Sequence, residues 1–116
     1  MNIYHIWCNL KSGIIDTDFT DAAHSYLDHL RQNDQLSAYR ITRRKLGLSP
    51  AHLAEFHIML EFETLTQLDD AFKNVSSRSD PVESFHHAVN SKVQDVSFAL
   101  YRDFPDTHRK RGSEKF

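Results

Sequence analysis

Strict alternation of apolar and polar side chains limits the folds open to this chain more than any other feature. In the segment FHIMLEF at 56–62, every second side chain is large and apolar. The segment NIYHIWCNL at 2–10 alternates in the same way. Because successive side chains of a strand point to opposite faces, a period of two predicts two strands that each bury one face.

Helical and further strand patterns surround these two strands. Asp16, Thr17 and Asp18 are candidate N-caps for a helix, whose apolar stripe is Phe19, Ala22, Ala23, Tyr26, Leu27 and Leu30. Leu36–Leu46 reads as a second strand and Val93–Phe104 as the last one. Thr64 or Thr66 opens a second helix, and Asp80-Pro81 restarts it with Asp80 as N-cap. The predicted order is β-α-β-β-α-α-β.

This order predicts an α+β, ferredoxin-like fold of the β-α-β-β-α-β type. Its four-stranded antiparallel sheet has the order 4-1-3-2, with the helices on one face. We expect strands one and three to be adjacent and parallel, and Arg40 to be a cross-strand partner of Glu61. The domain is expected to span residues 1–104, and residues 105–116, with the basic run HRKR, to form a mobile basic tail.

Composition excludes several kinds of function. The formal net charge of −2 gives no reason to expect nucleic-acid binding. The single cysteine, Cys8, rules out an intramolecular disulfide and any CxxC motif. No apolar run approaches the ~20 residues of a membrane span, and no basic n-region precedes the first strand. We therefore expect a cytoplasmic protein with no membrane partner and no cofactor.

The sheet face without helices is predicted to be a dimer interface. It collects aromatic, apolar and charged side chains together, as protein interfaces do. Such a cluster is too apolar to be left bare on a monomer. The predicted interface residues are Ile3, His5, Trp7, Arg40, His57, Met59, Glu61, Ala99 and Tyr101.

YHIWCNLKSG, FHIMLEFETL, the helical DP segment and VSFALYRDF together resemble the stress-responsive dimeric α/β-barrel family. That family includes small plant polyketide cyclases and is akin to cofactor-independent antibiotic-biosynthesis monooxygenases. The resemblance implies a homodimer of ferredoxin-like subunits packed sheet to sheet. It also implies a ligand cavity between each sheet and its own helices, which in the cyclases is lined by histidines from the first and third strands.

His5, His57 and His86 are the candidate catalytic residues. His5 is an odd number of residues from Leu10, and His57 from Phe62, so regular strands point both histidines away from the helices. We therefore expect polar residues at a dimer interface rather than cyclase-type acid–base catalysis. A metal site is disfavoured because two histidines are too few ligands.

A ligand pocket is predicted under the helices, lined by Tyr4, Cys8, Tyr26, Phe56, Ile58, Phe85 and His86. The first functional hypothesis is a barrel that binds an apolar or aromatic small molecule there, with or without cofactor-free cyclase- or monooxygenase-like activity. The second is a non-catalytic dimeric stress or interaction protein whose helix–sheet space is packed. A haem-binding or metal-binding barrel is the third, with His57 or His86 as the axial candidate.

Overall fold

A computed structural model describes residues 1–106 and 109–112 and bears out the predicted element order. Its strands are β1 (Asn2–Leu10), β2 (Ala38–Arg43), β3 (Phe56–Phe62) and β4 (Val93–Arg102). Its helices are α1 (Asp16–Gln32), α2 (Leu65–Ser76) and α3 (Val82–Asn90). The strands form one antiparallel sheet in the order β2-β3-β1-β4, which is the predicted 4-1-3-2 order viewed from the other edge. The predicted ferredoxin-like fold is confirmed.

The direction predicted for one strand pair is wrong. β1 and β3 are adjacent but antiparallel, with Asn2 opposite Phe62 and Cys8 opposite Phe56. The reason is the connectivity. Helix α1 carries the chain back across the sheet, so β2 runs in the same direction as β1, and the β2–β3 hairpin then reverses it. The parallel pairs are therefore β1 with β2 and β3 with β4, and neither pair is adjacent in the sheet.

The predicted partnership of Arg40 and Glu61 is also wrong. The hairpin closes symmetrically about the Ser49–Pro50 bond, with Arg43 opposite Phe56. That symmetry places Arg40 opposite Met59 and leaves Glu61 opposite Ala38. A shift of two residues preserves the face, so Arg40 and Glu61 still lie on the same side of the sheet.

The N-cap residue of α2 has a side-chain hydrogen bond, whereas the N-cap residues of α1 and α3 have none. Thr64 accepts a hydrogen bond from the Gln67 amide at 3.0 Å and caps α2, as predicted. Helix α1 begins after Ile15, which has no side-chain cap, so the predicted acidic caps are displaced by one residue. Helix α3 begins one residue after Pro81, and Asp80 accepts hydrogen bonds from the amide and hydroxyl of Ser84.

The core lies between the sheet and the helices. Its buried members come from β1, β3, the inner faces of the helices and the connection between α1 and β2: Cys8, Phe19, Leu27, Leu30, Leu36, Phe56, Ile58, Leu60, Phe62 and Ala71. Burying one such large apolar side chain contributes about 1.5–3 kcal/mol. The helices leave the opposite face of the sheet bare, and we call this the open face. The nine predicted interface residues all lie on it.

Strand β4 is covered less well than its neighbours. Phe98 lies opposite Ile6 and Leu100 opposite Tyr4, so both face the helix side. Yet their side chains are 59% and 52% exposed. A bulge between Trp7 and Asn9 shifts the register, and Asp95 there has a φ of 55°. The bulge keeps Val93, opposite Leu10, on the helix side as well.

Residues 107, 108 and 113–116 of the predicted mobile tail lie outside the described residues. Within the described part, Asp106 forms an ion pair with Arg102 at 3.1 Å, and the Arg109 guanidinium lies 5.2 Å from the ring centroid of Phe104. Strand β4 ends at Arg102 and β2 spans only Ala38–Arg43, so both are shorter than predicted. Among the described residues, no helix is long and apolar enough to cross a membrane.

Candidate functional site

A cleft runs between the sheet and the helices, beside the poorly covered strand β4. Its inner part has a volume of about 140 Å³ and is lined by residues including Ile6, Cys8, Tyr26, Ile58, His86 and Phe98. An adjoining hollow of about 550 Å³ extends towards α2 and adds Tyr4, Phe62 and Phe72. Ile6, Tyr26, Leu60, His86 and Phe98 border both parts, which we therefore treat as one helix-side cleft.

The wall of the helix-side cleft is mainly aromatic and aliphatic. Tyr4 stacks on Phe98 with ring centroids 5.7 Å apart and planes 15° apart. Phe72 of α2 meets Tyr4 edge to face at 5.2 Å. These three rings line one end of the cleft with surface that suits a planar apolar molecule.

Tyr4, Tyr26 and His86 place polar groups in this apolar wall, and Asn90, Asp69, Lys73 and Ser76 border the cleft as well. Burial raises the pKa of Tyr26 to about 12 and also raises the pKa of Tyr4, so both phenols are protonated at neutral pH. Neither hydroxyl makes a hydrogen bond to any other described residue. The imidazole of His86 lies near Tyr26, with ring centroids 5.9 Å apart. The cleft therefore offers uncommitted O–H donors within an apolar enclosure.

Five of the seven side chains predicted for the pocket line the cleft, and two do not. Phe56 is buried beneath α1, where its ring meets that of Phe19 at 5.1 Å. Phe85 lies against His29 of α1, with ring centroids 5.1 Å apart. His86, the next residue on α3, faces the cleft instead. Sequence reasoning placed Phe98 and Phe72 on the correct faces but did not include them in the pocket.

Cys8 lines the cleft as a buried thiol. Its side chain is 1% exposed, and burial raises its pKa to about 11. The nucleophilic form of cysteine is the thiolate, which is scarce at neutral pH under these conditions. Cys8 therefore acts as a small apolar residue of the wall.

The open face carries a cluster of aromatic rings around the two strand histidines. Nδ1 of His5 and Nε2 of His57 are 2.8 Å apart and share a hydrogen bond. Trp7 stacks on His57 with centroids 4.5 Å apart, and Tyr101 meets His5 edge to face at 5.0 Å. Burial lowers the pKa of both histidines, and His5 lowers that of His57 further. Both imidazoles are therefore neutral at pH 7.

The candidate catalytic histidines are divided between the two faces of the sheet. His5 and His57 contact each other on the open face, whereas His86 borders the helix-side cleft. No three of them converge on one substrate position. Among the described residues, no group of three or more His, Cys, Asp or Glu side chains is placed to hold a metal ion.

The whole of the chain, residues 1–116, matches the model of a family described as a family of unknown function, DUF6614. The chain belongs to this family. No curated protein matches it.

Solved structures share the fold of this DUF6614 protein. The protein At3g17210 from Arabidopsis thaliana superimposes with a TM-score of 0.68 at 12% identity, over 89% of this chain and 95% of that one. A dimeric ferredoxin-like protein of unknown function from Jannaschia sp. CCS1 gives 0.65 at 10% identity, over 89% and 100%. An antibiotic biosynthesis monooxygenase gives 0.61 at 16% identity, over 90% and 100%. The resemblance in fold inferred from the sequence is confirmed.

Proposed function

We propose that this protein is a homodimer that binds an apolar or aromatic small molecule in the helix-side cleft. The observation that carries the proposal is the combination of an aromatic wall with phenol groups that make no hydrogen bond to the rest of the described chain. Ligand sites are typically apolar cavities with a few polar groups that fix orientation. The two parts of the cleft, at about 140 and 550 Å³, provide room for a ligand of that kind.

The aromatic wall favours a flat ligand. Tyr4 and Phe98 present nearly parallel rings, and Phe98 remains 59% exposed. A planar ligand lying against these rings gains apolar burial and stacking together. An aliphatic chain in the same place gains apolar burial but no stacking.

The phenols favour a ligand that carries a hydrogen-bond acceptor. Tyr26 remains protonated because burial raises its pKa to about 12, so its hydroxyl acts as a donor. A carbonyl or ether oxygen can accept a hydrogen bond from this donor, and such a bond contributes about 0.5–1.5 kcal/mol. Acid–base chemistry on a bound ligand would fall to His86, the candidate histidine that borders the cleft.

The open face supports the homodimer. Trp7 and Met59 lie on a sheet face that no helix covers, and burying apolar surface of this kind drives association. The solved structures from Jannaschia sp. CCS1 and Bacteroides fragilis NCTC 9343 are described as dimeric ferredoxin-like proteins, and they share this fold.

The proposal is tested by titrating the protein with 2-acetonaphthone, a planar aromatic ketone, and following amide chemical shifts by NMR. We expect saturable shifts around Tyr26, His86 and Phe98. Tyr26→Phe should weaken binding about tenfold, since it removes one hydrogen bond of about 1.4 kcal/mol. Tyr39→Phe removes a phenolic hydroxyl outside the cleft and should leave the affinity for the ketone unchanged.

A matched ligand sharpens this experiment. 2-Ethylnaphthalene has the same ring system without the carbonyl acceptor, so it should bind more weakly and be insensitive to Tyr26→Phe. Shifts spread evenly over the surface, or none at millimolar ketone, would rule out ligand binding in the cleft. That outcome would favour the second function, a dimeric interaction protein whose exposed Phe98 and Leu100 are covered by another protein.

A further inference from the structure

We propose that the His5–His57 pair makes self-association through the open face depend on pH, with the dimer favoured when both imidazoles are neutral. This inference rests on the proposed homodimer. It assigns a regulatory role to two residues that the cleft does not use.

The geometry of the pair limits how many protons it can hold. The two rings lie nearly in one plane, 18° apart, with centroids 5.1 Å apart and nitrogens 2.8 Å apart. This is an end-to-end N–H···N hydrogen bond, in which one nitrogen donates and the other accepts. A proton on the accepting nitrogen removes its lone pair, so the doubly protonated pair loses the bond and places two cations in contact.

The neighbouring groups on the sheet do not compensate such charges. Across the sheet, His5 faces Met59 and Ala99, and His57 faces Trp7 and Thr42. The charged or titratable side chains nearby are Glu61 on β3, Arg40 on β2, Tyr101 on β4, and Asp95, whose carboxylate accepts a hydrogen bond from Asn9. Within residues 1–106 and 109–112, no carboxylate is hydrogen-bonded to either imidazole.

A second copy on the open face would strengthen the preference for neutral histidines. Both side chains are partly exposed in the isolated subunit, and burial already lowers the pKa of each. Docking removes more water, which disfavours the charged form further. The separated subunits then bind more protons than the dimer does. By linkage, lowering the pH through the histidine range drives dissociation.

The experiment is sedimentation equilibrium of the full chain at about pH 8.0 and about pH 5.5, a window in which unperturbed histidines change charge and most carboxyl groups do not. We expect the dimer dissociation constant to rise at least about tenfold at the lower pH, since each proton released on association contributes up to tenfold per pH unit.

Variants assign the effect to the pair. The double variant His5→Gln/His57→Gln keeps polar side chains that cannot titrate, and its dissociation constant should be the same at both pH values. His52→Gln, which removes an exposed histidine from the β2–β3 connection, should keep the wild-type pH dependence. If the double variant does not fold, NMR titration of the wild-type imidazoles should show lower pKa values for His5 and His57 at high than at low protein concentration.

The outcomes separate this inference from the proposed function. A dimer of equal strength at both pH values, or a pH dependence that survives the double substitution, would overturn the inference and leave the homodimer intact. Equal imidazole pKa values at high and low protein concentration would do the same. A monomer at about pH 8.0 and high micromolar concentration would overturn both.

Discussion

Tyr4 of β1 stacks on Phe98 of β4, with ring centroids 5.7 Å apart and planes 15° apart. The two rings belong to neighbouring strands but differ in their surroundings, because Tyr4 also contacts Phe72 of α2 while Phe98 is 59% exposed. The pair therefore marks the boundary between the closed core and the open part of the helix-side cleft.

Truncating Phe98 should reduce ligand binding much more than stability. Phe98→Ala is expected to lower the free energy of unfolding by less than about 1 kcal/mol, because a largely exposed ring has little burial to lose. The same change should weaken 2-acetonaphthone binding by about tenfold, since aromatic contacts contribute about 0.5–1.5 kcal/mol beyond area burial. Urea denaturation and ligand titration measure the two effects.

Leu100→Ala is the matched control for that variant. Leu100 lies on the same strand and the same face, is 52% exposed, and is not among the residues that line the cleft. Its truncation should leave ligand affinity unchanged. Equal losses of affinity in the two variants would contradict the assignment of the cleft.

Removing a ring from the closed core should reduce the stability of the fold strongly. Phe19 is completely buried and packs edge to face on Phe56 at 5.1 Å. Phe19→Ala should lower the free energy of unfolding by about 3–5 kcal/mol through lost burial and the cavity that remains. Urea denaturation showing a loss below 1 kcal/mol would mean that α1 does not pack on the sheet in this way.

A carboxylate on the open face should separate the dimer. Trp7→Glu places a charge that would lose its hydration in the interface without a partner. Sedimentation equilibrium should show a dimer for the wild type and a folded monomer for the variant. Leu48→Glu, at an exposed position in the β2–β3 connection, should remain dimeric. Dissociation in both variants, or in neither, would argue against an interface centred on Trp7.

The thiol of Cys8 should be unreactive in the folded protein. Its side chain is 1% exposed, so a reagent cannot reach the sulfur in the folded state. Burial also raises its pKa to about 11, so little thiolate is present near pH 8. A thiol-specific disulfide reagent should react at the rate at which the structure opens, and immediately after unfolding in urea. Rapid stoichiometric reaction of the folded chain would show that β1 is accessible.

Alternation along the strands was sufficient to predict which residues share a face. A period of two leaves only two choices, and the apolar set identifies the inner one. The same rule places His5 and His57 with Trp7 on one face, where the structure has them. Register was harder to predict, because a shift of two residues preserves the face. That is why Arg40 could be paired with Glu61 although it lies opposite Met59.

The cleft depended on features that a pattern does not contain. Phe85 and His86 are adjacent on one helical stripe, and the rotation of α3 on the sheet decides that only His86 borders the cleft. At the bulge in β4, Asp95 has a positive φ although it is not a glycine, and no local sequence motif predicts this conformation. The poor coverage of β4 follows from where the helices pack, which is set by the whole fold.

The most direct test is a crystal structure of the protein grown with 2-acetonaphthone. We predict the naphthalene ring against Phe98 and Tyr4, with the ketone oxygen within about 3 Å of the Tyr26 hydroxyl. A cleft closed by its own side chains, with Phe98 collapsed onto Tyr26 and His86 and no ligand present, would contradict the proposal.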